Sequence, residues 1–263
     1  MSVVILRNQV VHYEALGRGK PVLFLHSWIG SWRYWVPAMQ TASIAFRTYA
    51  LDLWGFGDTA KAKDYYTLSE QTALVGEFLT AMGVGRVAIV GHGYGALVAL
   101  QFARQSPQVV DRLLLIGLPW GGKKLNGRLG TAALADLAEW LLNPNDAAGE
   151  ATRIEARKAD QQAIRQALPE LFALPFEKHL AELELPYLLV YGESDPLVLL
   201  PEVEELTPLP SNSHWLVLED CAHYPMLEET ARFNRLLIDF LNLDSGQSPR
   251  ALQLKEEWKR RVR

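Results

Sequence analysis

Three short segments of this chain carry side chains able to move a proton or attack a carbonyl. One is Asp220-Cys221-Ala222-His223-Tyr224-Pro225, with an imidazole and a thiol. Another is Tyr191-Gly192-Glu193-Ser194-Asp195-Pro196, with two carboxylates. The third is His26-Ser27-Trp28-Ile29-Gly30-Ser31, with hydroxyls beside an imidazole. Imidazole and carboxylate are the usual equipment of general acid–base chemistry, and on chemistry alone Glu193 and Asp195 compete for the pairing. A fourth segment, Gly91-His92-Gly93-Tyr94-Gly95, lies between the apolar run Arg86–Val90 and a helical pattern from Ala96 to Gln105. Its glycines permit a sharp bend between strand and helix. At the centre of that bend stands Gly93, which has no side chain to offer.

Together these segments resemble the α/β-hydrolases, in their capped esterase- and epoxide-hydrolase-like branch. Strand, Gly-x-Ser-x-Gly and helix form that family's nucleophile elbow, and Gly91–Gly95 has its setting with the nucleophile replaced by Gly93. The resemblance implies Asp195 as the triad acid and His223 as the base, ahead of a helix beginning at Pro225. The order 93, 195, 223 is that of the family. The segment His26–Ser31 resembles the family's His-Gly turn, which implies oxyanion donors at the backbone amides of Trp28 and Tyr94. Ser27 stands where the family has glycine. It is mildly strained if that position needs φ > 0, or else it points a hydroxyl into the site. The run Leu51-Asp52-Leu53-Trp54-Gly55-Phe56-Gly57-Asp58 matches a glycine-bearing structural loop of the family. The resemblance covers residues 10–118 and 185–242.

The elements that must position these residues alternate in the manner of a parallel sheet. Apolar runs at Val10–Leu16, Pro21–His26, Arg47–Leu53, Arg86–Val90, Arg112–Ile116, Tyr187–Tyr191 and His214–Leu218 read as strands. Several are continuously apolar, as in strands covered on both faces. Helical patterns fall at Leu68–Met82, Gly95–Gln105 and Pro225–Leu241. Between Trp120 and Leu183 the rhythm breaks into Ala-, Leu- and Glu-rich helical patterns at Gly130–Leu142 and Ala147–Leu168. The expected architecture is an α/β, doubly wound, mostly parallel eight-stranded sheet. Its core spans residues 1–118 and 185–243, with a helical cap inserted at 119–184. Residues 244–263 form a basic tail, whose apolar face is limited to Leu252, Leu254, Trp258 and Val262.

Composition narrows the function classes. The 263 residues suit one domain with an insertion, and a net charge of −4 does not suggest nucleic-acid binding. One cysteine, Cys221, excludes an internal disulfide. No apolar stretch approaches a membrane span and no leader pattern opens the chain, so a cytoplasmic protein acting on a small molecule is expected. No metal and no nucleotide cofactor is expected: His12, His26, His92, His179, His214 and His223 lack ligand spacing, and no Gly-x-Gly-x-x-Gly opens the first helix. A homodimer through cap or tail is left open.

Three readings follow. In the first, a hydrolase of small ester-like substrates works without a covalent intermediate, with His223 as base on a water lodged in the gap beside Gly93. In the second, the pocket binds a ligand and turns nothing over. In the third, an ordinary hydrolase has lost a serine (preferred here) or an aspartate at 93, and restoring it completes the site. Among stand-in nucleophiles, His92 is expected to point away and pack, Tyr94 is too weakly acidic, and the loop around Cys221 directs the thiol elsewhere. Ser27 remains, across the pocket from the elbow.

Overall fold

The computed structural model describes residues 2–121, 124–143 and 147–252. Eight strands form one sheet: β1 Ser2–Leu6, β2 Gln9–Leu16, β3 Lys20–Leu25, β4 Phe46–Leu51, β5 Val87–His92, β6 Val110–Ile116, β7 Tyr187–Gly192 and β8 Ser213–Leu218. Their order is β1-β2-β4-β3-β5-β6-β7-β8. Only β1 with β2 and β2 with β4 pair antiparallel. Every residue of β5 and β7 is buried, as their unbroken apolar sequences require in a sheet covered on both faces.

Helices α1 (Val36–Ala42), α2 (Leu68–Ala81) and α3 (Tyr94–Gln105) precede β6. Five helices lie between β6 and β7: α4 Arg128–Thr131, α5 Leu134–Leu141, α6 Ala147–Ala156, α7 Gln161–Ala173 and α8 Phe176–Ala181. The rest are α9 Val203–Leu206, α10 Pro225–Glu228 and α11 Thr230–Leu241. Helix α1 packs on α11 and α2 on α3, flanking the sheet. No helix among the described residues is long and apolar enough to cross a membrane.

Strand β3 leads to β4 on one side, and β5 leads to β6 on the other. The order of connection therefore reverses between the parallel strands β3 and β5, and the crevice beyond their carboxyl ends is where open α/β sheets place ligands. Leu25 and Gly91 are register partners at that point. The segments that follow β3, β5, β7 and β8 are the four singled out above.

Several sequence expectations change in detail. Strand β1 is additional. The Pro225–Leu241 helix is two helices, broken at Glu229 (φ −127°, ψ 53°). The two helical patterns expected after Trp120 are four helices, and Pro169 lies inside α7 rather than ending it. Of the tail, Pro249–Ala251 forms one short 3₁₀ turn, and Leu254, Trp258 and Val262 lie outside the described residues.

Candidate active site

Backbone geometry at the elbow explains its glycines. Gly93 sits at φ +51°, ψ −108°, a conformation costly for a residue with a Cβ. Its amide bonds to Ile116 O at 2.8 Å, extending the β5–β6 ladder to the bend. Gly95 lets α3 start against the end of β3: its amide donates to His26 O at 3.0 Å, and a Cβ there would stand 2.3 Å from Leu25 O.

Beyond β7 and β8, the carboxylate and the imidazole meet. His223 Nδ1 lies 2.8 Å from Asp195 Oδ2, both groups buried. Asp195 Oδ1 accepts the amides of Leu197 at 2.8 Å and Val198 at 3.0 Å, which fixes the carboxylate's plane. It thus caps a turn, since no helix starts at Pro196. Glu193 is not the partner of His223. The histidine loop is clamped from below by Glu228, whose oxygens accept the amides of Ala222 at 2.5 Å and Tyr224 at 3.1 Å. Burial raises the pKa of Glu228. Because the carboxylate accepts from Nδ1, the proton of neutral His223 sits there and Nε2 is left bare.

That bare nitrogen faces Ser27. Ser27 Oγ lies 3.2 Å from His223 Nε2, within the reach expected of a nucleophile and its base. The gap expected beside Gly93 is filled by the same hydroxyl. A Cβ on residue 93 would lie 2.2 Å from Ser27 Oγ, 3.0 Å from Ser27 Cβ and 3.1 Å from Trp28 Cζ3. Ser27 is not strained: among the described residues only Arg7, Asn8 and Asp220 take positive φ without being glycine.

Ser27 is held at both backbone groups. Its amide donates to the Tyr34 hydroxyl at 2.7 Å, and its carbonyl lies 2.8 Å from His26 Nδ1. Leu53 N–H donates to His26 Nε2 at 3.0 Å, so the His26 proton is on Nδ1 and goes to Ser27 O. The hydroxyl of Tyr34, having accepted from Ser27, gives its own proton to His92 Nδ1 at 2.9 Å. His92 therefore points into this support, as a packing and hydrogen-bonding residue, with its ring 4.5 Å from that of His223. The buried indole of Trp28 stacks on the buried ring of Tyr94, centroids 5.9 Å apart. The backbone amides of Trp28 and Tyr94 donate to no acceptor found among the described residues.

Other candidate nucleophiles are inert. Burial pushes the Cys221 thiol up to about 12, and burial raises the Tyr94 phenol well above its ordinary value. One carboxylate–imidazole cluster, His12 with Asp52 and Asp58, has the proximity of a cation site, which the sequence did not suggest. Its Asp52 oxygens already bond to Trp32 N, Asp58 N and His12 Nδ1, fastening the loop after β4.

The helices between β6 and β7 reach the loops after β3 and β4. Glu155 of α6 accepts from Ser31 Oγ at 3.2 Å and Arg33 Nε at 3.3 Å, and Asp160 N donates to Gly55 O at 2.7 Å. Ser27 and His223 are no more than 1% exposed.

Two of these buried imidazoles make stability depend on pH. Burial lowers the pKa of His26, and burial followed by the nearby His223 ring lowers that of His92 well below 6.5. In the unfolded chain both take protons near 6.5, so below that value the unfolded state binds more protons and stability falls with pH. The limiting slope is about 1.4 kcal/mol per pH unit for each histidine. His12 opposes this weakly: burial works against its proton, but Asp52 raises its pKa overall, so its contribution is present below 6.5 and fades above. The urea midpoint is expected to drop between pH 7 and pH 5. A flat profile would mean that these rings are hydrated.

A crossover sheet with acid and base on the loops after its last strands defines a class, and the sequence comparisons agree with it. The sequence model of the α/β hydrolase family matches residues 22–236, and the chain belongs to that family. It is 28% identical to the 2-hydroxy-6-oxononadienedioate/2-hydroxy-6-oxononatrienedioate hydrolase 2 of Pseudomonas putida, over 88% of this chain and 91% of that one. Among solved structures it is similar to the meta-cleavage product hydrolase CumD of Pseudomonas fluorescens, as a mutant with acetates (TM-score 0.78, 22% identity, covering 92% and 97%). It is likewise similar to the enol-lactonase of Burkholderia xenovorans (TM-score 0.80, 17% identity, covering 92% and 100%).

Proposed function

We propose that this protein hydrolyses small, largely apolar ester-like substrates, lactones included. Asp195 orients His223 and stabilises its protonated form. His223 takes the proton from the attacking oxygen and later gives it to the leaving group. The free amides of Trp28 and Tyr94 receive the developing oxyanion. The observation that carries this reading is the 2.8 Å contact of His223 Nδ1 with Asp195, which leaves Nε2 facing the Ser27 hydroxyl opposite the elbow. A module that only binds has no use for an acid–base pair so arranged. The stacked Trp28 and Tyr94 favour an apolar acyl group. The related hydrolases of oxo-dienoates, and the enol-lactonase with the same fold, favour acyl chemistry over carbon–halogen chemistry.

A nucleophile merely deleted from position 93 is the weaker reading. Such a site would keep space for the missing side chain, and here that space belongs to Ser27.

The test is hydrolysis of p-nitrophenyl acetate and butyrate by the intact chain. His223→Gln is expected to lower turnover about 10²–10⁴-fold. No turnover by the unaltered protein, with retained binding of butyrate esters, would instead make it a binding module.

A further inference from the structure

We propose that the nucleophile has moved across the crevice, from the end of β5 to the end of β3, and that Ser27 forms the acyl-enzyme. This rests on the hydrolase reading above and names the group that attacks. Four observations converge on it. Ser27 Oγ stands 3.2 Å from the bare nitrogen of a histidine already paired with a carboxylate. It fills the volume where a side chain on residue 93 would be. Its own amide and carbonyl are both tied down, which fixes the backbone from which the hydroxyl reaches the base. Finally, the elbow carries glycine at residue 93, so no side chain there competes with Ser27 for His223. A Cβ there would stand 2.2 Å from Ser27 Oγ, so the hydroxyl would have to turn away.

The oxyanion donors change their roles without changing their positions. In the family's arrangement one donor is the amide of the residue after the nucleophile. With Ser27 attacking, that residue is Trp28, and Tyr94 supplies the amide from across the crevice. The amide of Ser27 itself is engaged by Tyr34 and takes no part.

The step balances with groups already present. Ser27 Oγ bonds to the carbonyl carbon as its proton passes to His223 Nε2, and the carbonyl π pair becomes the oxyanion. Collapse breaks the bond to the leaving alkoxide, which takes the proton from His223. Water then gives a proton to His223 and attacks the acyl-Ser27 ester, and Ser27 Oγ leaves with that proton. No cofactor, metal or oxidant is consumed.

The experiment combines labelling with turnover, on the intact chain. A fluorophosphonate probe is applied, the protein is digested, and the adduct is located by mass spectrometry. Rapid mixing with p-nitrophenyl butyrate reads a burst from acyl-enzyme. The adduct is expected on Ser27, Ser27→Ala is expected to lose both label and burst, and turnover should fall at least ~10³-fold. Circular dichroism and the thermal midpoint check that Ser27→Ala folds. Ser27→Cys adds a control: it should regain alkylation by a chloromethyl ketone, dependent on His223.

An adduct mapped elsewhere overturns the proposal. So does a Ser27→Ala variant that keeps turnover within about threefold of the parent. If that residual turnover still depends on His223, the hydrolase reading survives with water as the attacking group. If the unaltered chain neither turns over esters nor takes the label, both readings fall together.

Discussion

Asp195→Asn is expected to lower turnover of p-nitrophenyl butyrate about 10⁴-fold while leaving the protein folded. The reason is a proton on the wrong nitrogen. An asparagine can keep its Oδ1 on the amides of Leu197 and Val198, which presently lie 2.8 and 3.0 Å from Asp195 Oδ1. Its NH₂ group then replaces Oδ2 and faces His223 Nδ1. Two donors cannot share that contact, so the ring is driven to the tautomer protonated at Nε2. That N–H now points at Ser27 Oγ, 3.2 Å away, and a nitrogen bearing a proton cannot accept another. The charge that stabilised the imidazolium is lost as well. Turnover of both p-nitrophenyl esters, with the thermal midpoint alongside, checks this. A loss of less than about tenfold would mean that His223 does not lean on Asp195, and a collapse of the thermal midpoint would mean that the carboxylate serves the fold.

The pairing of Asp195 with His223 was legible in the chain because each follows an apolar strand and each lies in a motif with a fixed place in the fold. What decided between Glu193 and Asp195 was the backbone. Asp195 is the one whose second oxygen is anchored by two amides of the same turn. Strands β3, β5 and β7 were legible for a simpler reason, since burial on both faces forces an unbroken apolar run.

Strand β1 lacked that signal. As the edge of the sheet it exposes Val3 and Ile5, at 52% and 60%. It is joined to β2 through Arg7 and Asn8, both at positive φ, instead of the Asn-Gly that usually marks such a turn. The break between α10 and α11 was hidden too. Glu228 ends α10 while turning its carboxylate back to the amides of Ala222 and Tyr224, a contact that no helical periodicity records.

Ser27 shows where sequence reading stops. Its place in the His-Gly turn was evident, but the direction of its hydroxyl depends on β3 and β5 being neighbours in one register. Residues 27 and 93 meet because those strands are parallel neighbours, with Leu25 opposite Gly91, so both chains leave the sheet at the same edge. A vacancy in the sequence is therefore an occupied volume in the structure.

That displacement makes the effect of restoring a serine depend on its background. Gly93→Ser alone is expected to add no activity and to destabilise the protein by about 1–3 kcal/mol, from a Cβ-bearing residue held at φ +51°, ψ −108°. The crowding against Ser27 Oγ at 2.2 Å adds to that. Ser27→Gly alone should lose turnover at least ~10³-fold, because no hydroxyl then faces His223. Combining the two clears the volume and places a hydroxyl on the strained bend from which the family's nucleophile attacks. The double variant is expected to recover at least ~10²-fold over Ser27→Gly, so the same Gly93→Ser change is harmful in one background and beneficial in the other. Turnover of p-nitrophenyl butyrate and urea midpoints for all four proteins complete the cycle. Such a reversal of sign arises only if residues 27 and 93 compete for one position before His223. If Gly93→Ser activates the parent chain a thousandfold or so with Ser27 in place, the two hydroxyls do not compete, and the elbow was simply missing its serine.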